Sequence, residues 1–307
     1  MIAYLGSLPG AIAQGLIWGL MAIGVYITYK ILDIADLTVD GSICTGGAVV
    51  TVLVVNCGWN IYAAMVVAII AGILTGILTG LFHTLLGIPA ILAGILTQLI
   101  LWSVNLKIMG RANMALPSRN FDVLLSSRNP VTAIIIMAVI LIIFIALLYW
   151  FFGTEIGSAI RATGCNPHMS HAQGINTNLK KTIGLGIANG IVALSGGLLV
   201  QYQGFADINM GRGAVVIGLA AVIIGEALIS KMSSHMLVRL SGVIVGSIIY
   251  WFVFQTVIFI GLDADLLKML SAIVVAIFLG IPYLNQTFFK TRKAAAKNKG
   301  QGENGHA

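Results

Sequence analysis

Nine stretches of this chain stay apolar for roughly the length of a membrane span: about 9–29, 40–56, 60–82, 88–108, 131–152, 182–203, 213–230, 236–260 and 265–285. A helix needs about 20 such residues to cross the hydrocarbon core, where every backbone N–H and C=O must be satisfied inside the segment. Only 9% of the 307 residues are charged and 59% are hydrophobic, whereas a soluble domain carries about 25% charge. The expected fold class is an all-α polytopic membrane protein with eight to ten transmembrane helices. The second and seventh runs are short, which predicts broken or tilted passes. Thirty-six glycines against six prolines suit membrane helices whose backbones approach closely.

Lys and Arg positions set the orientation. With the 153–181 loop inside, nine passes put Lys30, Arg161, Lys180, Lys181, Lys231, Arg239 and five tail residues inside. Lys107, Arg111, Arg119, Arg128, Arg212 and Lys268 fall outside, six against eleven. The N-terminus is therefore expected outside and the C-terminus in the cytoplasm. Residues 1–289 form the transmembrane domain in this reading. Residues 290–307, with Lys290, Arg292, Lys293, Lys297 and Lys299, form a disordered basic tail at the membrane surface. The net charge of +7 thus points to no nucleic-acid partner. Cys44, Cys57 and Cys165 are odd in number and scattered, so no disulfide framework follows. The first apolar run has no basic leader before it and reads as a spanning helix, not a removable signal. The outward loop 107–130 is expected to be irregular and solvated, with an extracellular partner as the alternative. A weak internal repeat pairs Ala90–Ile95 with Ala214–Leu219, and the glycines 41, 46 and 47 with 190, 196 and 197.

The longest polar interval of the second half, Phe152–Gly174, reads as two short helices. Thr154 caps the first and Gly164 ends it in a left-handed conformation. Asn166 caps the second, Pro167 occupies its first turn and Gly174 ends it. With Arg161 on the pair and Lys180 and Lys181 after it, this is either a docking surface for a cytoplasmic partner or a solvated connection.

Polar residues within the apolar runs, Gln98, Asn105, Asn189, Ser195 and Gln201, need partners or a wet cavity. Together with Thr45 and Asp40 they are the candidates for a solute path, with interhelical hydrogen bonding as the alternative. Asp33, Asp36 and Asp40 would share a face if helical. They read as rim residues capping the second span, or as a coupling-ion site. Glu226 late in its span suggests an interfacial ion pair with Lys231. Asp207, Asn209 and Arg212 lie in an outer turn that either receives solute or is plain turn chemistry. Cys165, His168 and His171 are spaced by three, but no fourth ligand is near, so no metal site is assigned. The sequence contains no G-x4-G-K-[ST] loop, so ATP, if used, binds another chain.

The segment Arg161-Ala-Thr-Gly164-Cys-Asn166-Pro167, followed by Ala172-Gln-Gly174-Ile-Asn176 and a Gly-rich span, resembles the membrane subunits of ATP-binding-cassette importers of the branched-chain amino-acid and ribose class. The pieces ILDIADLTVDGS, IPAILAGILTQLILWSVNLKIMGRAN and QYQGFADINMGRGAVVIGLAAVIIGEAL are similar to the tryptophan/tyrosine-type permeases of that class. Cys165 departs from the usual polar or acidic residue. The resemblance implies an importer permease fold with a pseudo-repeat and a multi-pass place in the bacterial cell membrane. It implies a second permease chain, forming a homodimer or a heterodimer with a related chain, a cytoplasmic ATPase dimer carrying ATP and Mg, and an extracytoplasmic solute-binding lipoprotein. No cofactor is expected on this chain, and no bond chemistry. Glu155, Gly157, Arg161, Ala162, Gly164, Asn166, Pro167 and Gly174 would couple to the ATPase. The solute would be an amino acid, with an aromatic one as the narrower expectation. The competing class is an ion-coupled secondary transporter using Asp33, Asp36 and Asp40.

Overall fold

In the computed structural model, residues 2–117, 121–229 and 235–259 are described, with scattered helical positions between 269 and 280. The ninth apolar run and the basic tail lie outside the described residues. The helices are α1 (Ile2–Tyr26), continued by five residues of π-helix (Ile27–Ile31), α2 (Val39–Val55), α3 (Ile61–Thr84), α4 (Ala90–Met109), α5 (Pro130–Gly153), α6 (Glu155–Cys165), α7 (Pro167–Ala172), α8 (Thr177–Gln203), α9 (Ala214–Ile229) and α10 (Met236–Phe259). Six of them are long and apolar enough to cross a membrane, and α2 and α9 are shorter apolar helices. The two short passes are the two that the sequence predicted. The chain is a polytopic helical membrane protein.

Burial follows lipid physics. The most apolar helix, α5, has only 22% of an 18-residue apolar stretch buried, whereas the corresponding stretch of α8, rich in glycine and small polar residues, is 89% buried. Lipid is as good a solvent for Leu and Ile as a protein core is, so helix association relies on close packing and hydrogen bonds. α8 runs through the centre of the bundle against α1, α2 and α3. At the α2–α8 crossing the glycines are reciprocal: a Cβ on Gly46 would overlap the Ala193 carbonyl, and one on Gly196 would overlap the Ile43 carbonyl. The two glycine groups read from the sequence as repeats therefore include the two sides of one contact. The other repeat segments open α4 and α9.

The helices place two distinct ends. At one end, α6 and α7 lie across the π-helical turn and the start of α8. At the other, β1 (Asn113–Ala115) pairs antiparallel with β2 (Phe205–Asp207), with Met114 opposite Ala206. The loop expected to be irregular and solvated is thus anchored. Leu116 and Leu125 are buried, and the Leu124 N–H donates to the Gln201 side chain at 3.0 Å. Non-local β pairing with β2 has no short-range signal, which is why the sequence reading missed it.

Candidate functional site

The helix pair at the first end is built by its caps. Thr154 accepts from the Gly157 N–H and Asn166 accepts from the Met169 N–H, each satisfying a free donor of the first turn. Pro167 stands in the first turn of α7, and Gly174 ends it at φ +83°. Gly164 departs from expectation. It is helical within α6 and has no positive φ. Its missing Cβ instead lets α6 approach the Ile31 carbonyl at the end of the π-helical turn. Gly157, Ile160 and Thr163 form the buried face of α6, while Glu155, Arg161 and Ala162 face outward with Ile156 (46% exposed). Met169 of α7 is 60% exposed. Cys165 ends α6 while His168 and His171 lie on α7. No group of three metal-ligating side chains forms among the described residues.

The three acids do not share a helical face, because 33–38 is not helical. Asp33 is exposed, with φ +55°. Asp36 is buried, accepting from the Thr38 N–H at 2.9 Å and from Asn189 Nδ2 at 2.7 Å. Asp40 caps a helix, though not its own: its oxygens accept from the Gly213 and Val215 N–H groups at 3.0 and 2.9 Å, at the start of α9. The short α2 and α9 are thus tied end to end. Glu226 pairs with Lys30 at 2.8 Å; Lys231, the partner suggested by the sequence, lies outside the described residues.

Asn189 organises a polar cluster inside the bundle. Its Oδ1 accepts from Ser42 at 2.6 Å, and its Nδ2 also donates to the Leu185 carbonyl at 3.0 Å. The Ser42 hydroxyl lies 2.8 Å from Thr75. Thr79 lies 2.7 Å from Thr38 and donates to Thr97 at 3.0 Å. Hydroxyls and one amide thereby tie α2, α3, α4 and α8. Three further candidates also bond inside the protein. Thr45 donates to the Gly41 carbonyl and Ser195 to the Ile17 carbonyl. Gln201 donates to the Gly197 carbonyl and accepts from Leu124.

The remaining candidates converge elsewhere. A cavity of about 300 Å³ opens between α2, α4 and the turn after β2. Asp40 and Cys44 line it from α2, Gln98, Trp102 and Asn105 from α4, and Ile208 and Arg212 from the turn. Positions 98, 102 and 105 follow the i, i+4, i+7 spacing that puts residues on one helix face. The turn is held against α2 by Asp40 and by Cys44, whose thiol donates to the Ile208 carbonyl at 3.4 Å and whose sulfur accepts from the Gly211 N–H at 3.2 Å. Asn105 is 1% exposed, and neither its Oδ1 nor its Nδ2 has a hydrogen-bond partner.

Residues 7–279 match the family model described as branched-chain amino acid transport system / permease component. The chain belongs to that family of permease components. Among similar proteins, the tyrosine transport system permease protein of Clostridioides difficile (strain R20291) is 37% identical over 287 residues, covering 94% of this chain and 95% of that protein. An uncharacterised protein of Rickettsia prowazekii (strain Madrid E) is 33% identical over 275 residues, covering 88% and 95%. A chain of the solved structure of PsaBC from Streptococcus pneumoniae in complex with Fab matches the fold with a TM-score of 0.50 at 16% identity, over 92% of the permease and 95% of that chain.

In this permease the structure brings together Asp40, Gln98 and Asn105 of the seven path candidates. It adds Arg212, which the sequence placed in an outer turn that either receives solute or is plain turn chemistry, and Trp102 and Cys44, which it did not mark for the path. A Trp in an apolar run carries no signal of its own. The spacing of Trp102 from Gln98 and Asn105 is the cue that would have found it.

Proposed function

We propose that this permease is the membrane subunit of an ATP-driven importer of an amino acid, with α6 and α7 as the docking element for cytoplasmic ATPase chains that bind ATP and Mg. A second permease chain and an extracytoplasmic solute-binding lipoprotein complete the importer. The single observation that carries the reading is the helix pair itself. It is capped at each start, seated on the bundle by Gly157, Ile160 and Gly164, and presents Ile156, Arg161 and Met169 outward at a polar end. Exposed apolar side chains beside a cation are what a partner surface buries. The sequence lacks a phosphate-binding loop of its own, and family membership supports a transport role. The tyrosine transport relative supports an amino acid, an aromatic one, as solute. In this reading α6 and α7 face the cytoplasm of a bacterial cell, and closure of the ATPases moves α6, which bears on the π-helical turn of α1 and the start of α8.

The test is assembly. Arg161→Glu and Met169→Asp alter exposed side chains, so the permease should fold and insert as before. Losing a charge contact at an interface costs about 2–5 kcal/mol, so co-purification with the ATPase should fall at least about tenfold. Unchanged association and unchanged stimulation of ATP hydrolysis by the double variant would reject α6–α7 as the docking element.

A second reading rests on one observation. Asp36 is 4% exposed and no basic side chain pairs with it among the described residues, and a buried acid at membrane depth is a candidate for ion coupling. An ion-coupled transporter would use that residue rather than the Asp33, Asp36 and Asp40 set.

A further inference from the structure

We infer that the cavity between α2, α4 and the turn after β2 is a recognition site for the dipolar head of an L-α-amino acid, with Arg212 and Asn105 taking the carboxylate, Asp40 the ammonium and Trp102 an apolar or aromatic side chain. The inference rests on the amino-acid import reading and gives it a place in the chain. Its first support is the orphaned amide. A buried polar group without a partner is costly, and such groups in native structures call for an explanation by function or by a missing ligand. Asn105 is buried with both amide atoms unpartnered, and it lines this cavity. The amides of Asn189 and Gln201, equally buried, are both hydrogen-bonded within the protein. The Trp18 and Trp251 indole N–H groups also lack partners elsewhere in the bundle, but among these buried amides the unpartnered one is the one at the cavity.

The second support is the charge arrangement. Arg212 is exposed at the cavity wall, and no carboxylate pairs with its guanidinium among the described residues. Guanidinium offers a planar fork suited to a carboxylate. The Asp40 oxygens accept the Gly213 and Val215 N–H groups, with the Ala214 N–H also turned to the carboxylate; a carboxylate has about four lone-pair sites, which leaves room for an ammonium donor. One wall thus presents a cation and the other an anion, the pattern of a zwitterion reversed. Gln98 adds an amide and Trp102 an aromatic face. The cavity volume of about 300 Å³ falls at the lower end of the range for small-molecule sites.

The experiment measures binding to the assembled permease and ATPase in nanodiscs, without the solute-binding protein, by saturation-transfer NMR. The probes are L-tyrosine, tyramine, which lacks the carboxylate, and 3-(4-hydroxyphenyl)propionate, which lacks the ammonium. On the wild type, L-tyrosine should bind more tightly than either analogue. Arg212→Gln should weaken L-tyrosine at least about tenfold and leave tyramine unchanged, because a charge-assisted contact is lost only where a carboxylate exists. Asn105→Leu should weaken L-tyrosine while leaving thermal stability of the complex equal or higher, since replacing an unpaired buried amide by an apolar isostere removes a penalty. Equal weakening of L-tyrosine and tyramine by Arg212→Gln, or wild-type affinity in both variants, would overturn the inference. So would a wild-type complex that binds no probe. In each of those cases ATP-driven uptake by the complete importer remains the separate measure of the import reading.

Discussion

Asn189 and Asn105 are both asparagines in the middle of apolar helices, 0% and 1% exposed, yet they stand in opposite chemical states. Asn189 uses its carbonyl and its amide, bonding Ser42, Asp36 and the Leu185 carbonyl. Asn105 bonds nothing. The first is glue: without water or a strong hydrophobic force between helices, satisfied polar contacts fix which helices meet and at what depth. The second is a penalty that the fold does not relieve, and it borders a cavity with two unlike charges. Between these two asparagines, satisfaction separates a residue that holds the bundle from one available to a solute.

The largest effect on stability is expected at the satisfied cluster. Asn189→Leu removes the amide that donates to the buried Asp36 carboxylate. A single interhelical hydrogen bond in a membrane is worth only about 0.6 kcal/mol on average, but a buried polar group left unsatisfied costs about 1–3 kcal/mol, and more when charged. Asp36 and Ser42 both lose a partner, so the permease should lose roughly 3 kcal/mol, read as a lowered thermal midpoint in detergent. Asp36→Asn in the same chain should recover part of the loss by replacing the ionisable carboxyl with a neutral amide; no recovery would mean that Asp36 is not the source of the penalty.

A smaller effect belongs to the close approach that brings the cluster together. Gly46→Val would push a side chain into the Ala193 carbonyl and part α2 from α8. Overpacking of this kind costs about 1–3 kcal/mol, and thermal unfolding should show it at about half the Asn189 effect or more. Wild-type stability would mean that α2 and α8 do not meet through their glycines. The smallest stability effect is the one proposed for Asn105→Leu, near zero or favourable. A large destabilisation there would erase the contrast between the two amides.

Much of the architecture was legible because lipid imposes it. The eight described spans begin and end within a few residues of the apolar runs, apart from the N-terminal extension of α1 and the start of α8. α8 begins at Thr177 rather than 182, since its polar first turn is helical and capped by Asn176. Capping chemistry placed α6 and α7, because Thr154, Asn166 and Pro167 act on their own neighbours. Gly164 was misread because glycine serves both a left-handed end and a close approach, and only the seat on Ile31 separates the two. Asp40 was read as a cap but assigned to α2; its partner helix, α9, starts more than 170 positions away in the chain. The cavity was half legible. Gln98 and Asn105 stand out as polar residues in apolar sequence, but their meeting with Asp40 and Arg212 depends on tertiary packing that no local pattern reports.

The central claim is that transport by this permease is powered by ATP on a separate chain. The direct test is uptake of labelled L-tyrosine into proteoliposomes holding the permease with or without its ATPase, the solute-binding protein supplied outside and ATP enclosed. Concentrative uptake should require both the ATPase and ATP, and should survive collapse of the proton and sodium gradients. Sustained concentrative uptake by the permease alone, abolished by collapsing an ion gradient, would contradict the account and point to the buried Asp36 as a coupling residue.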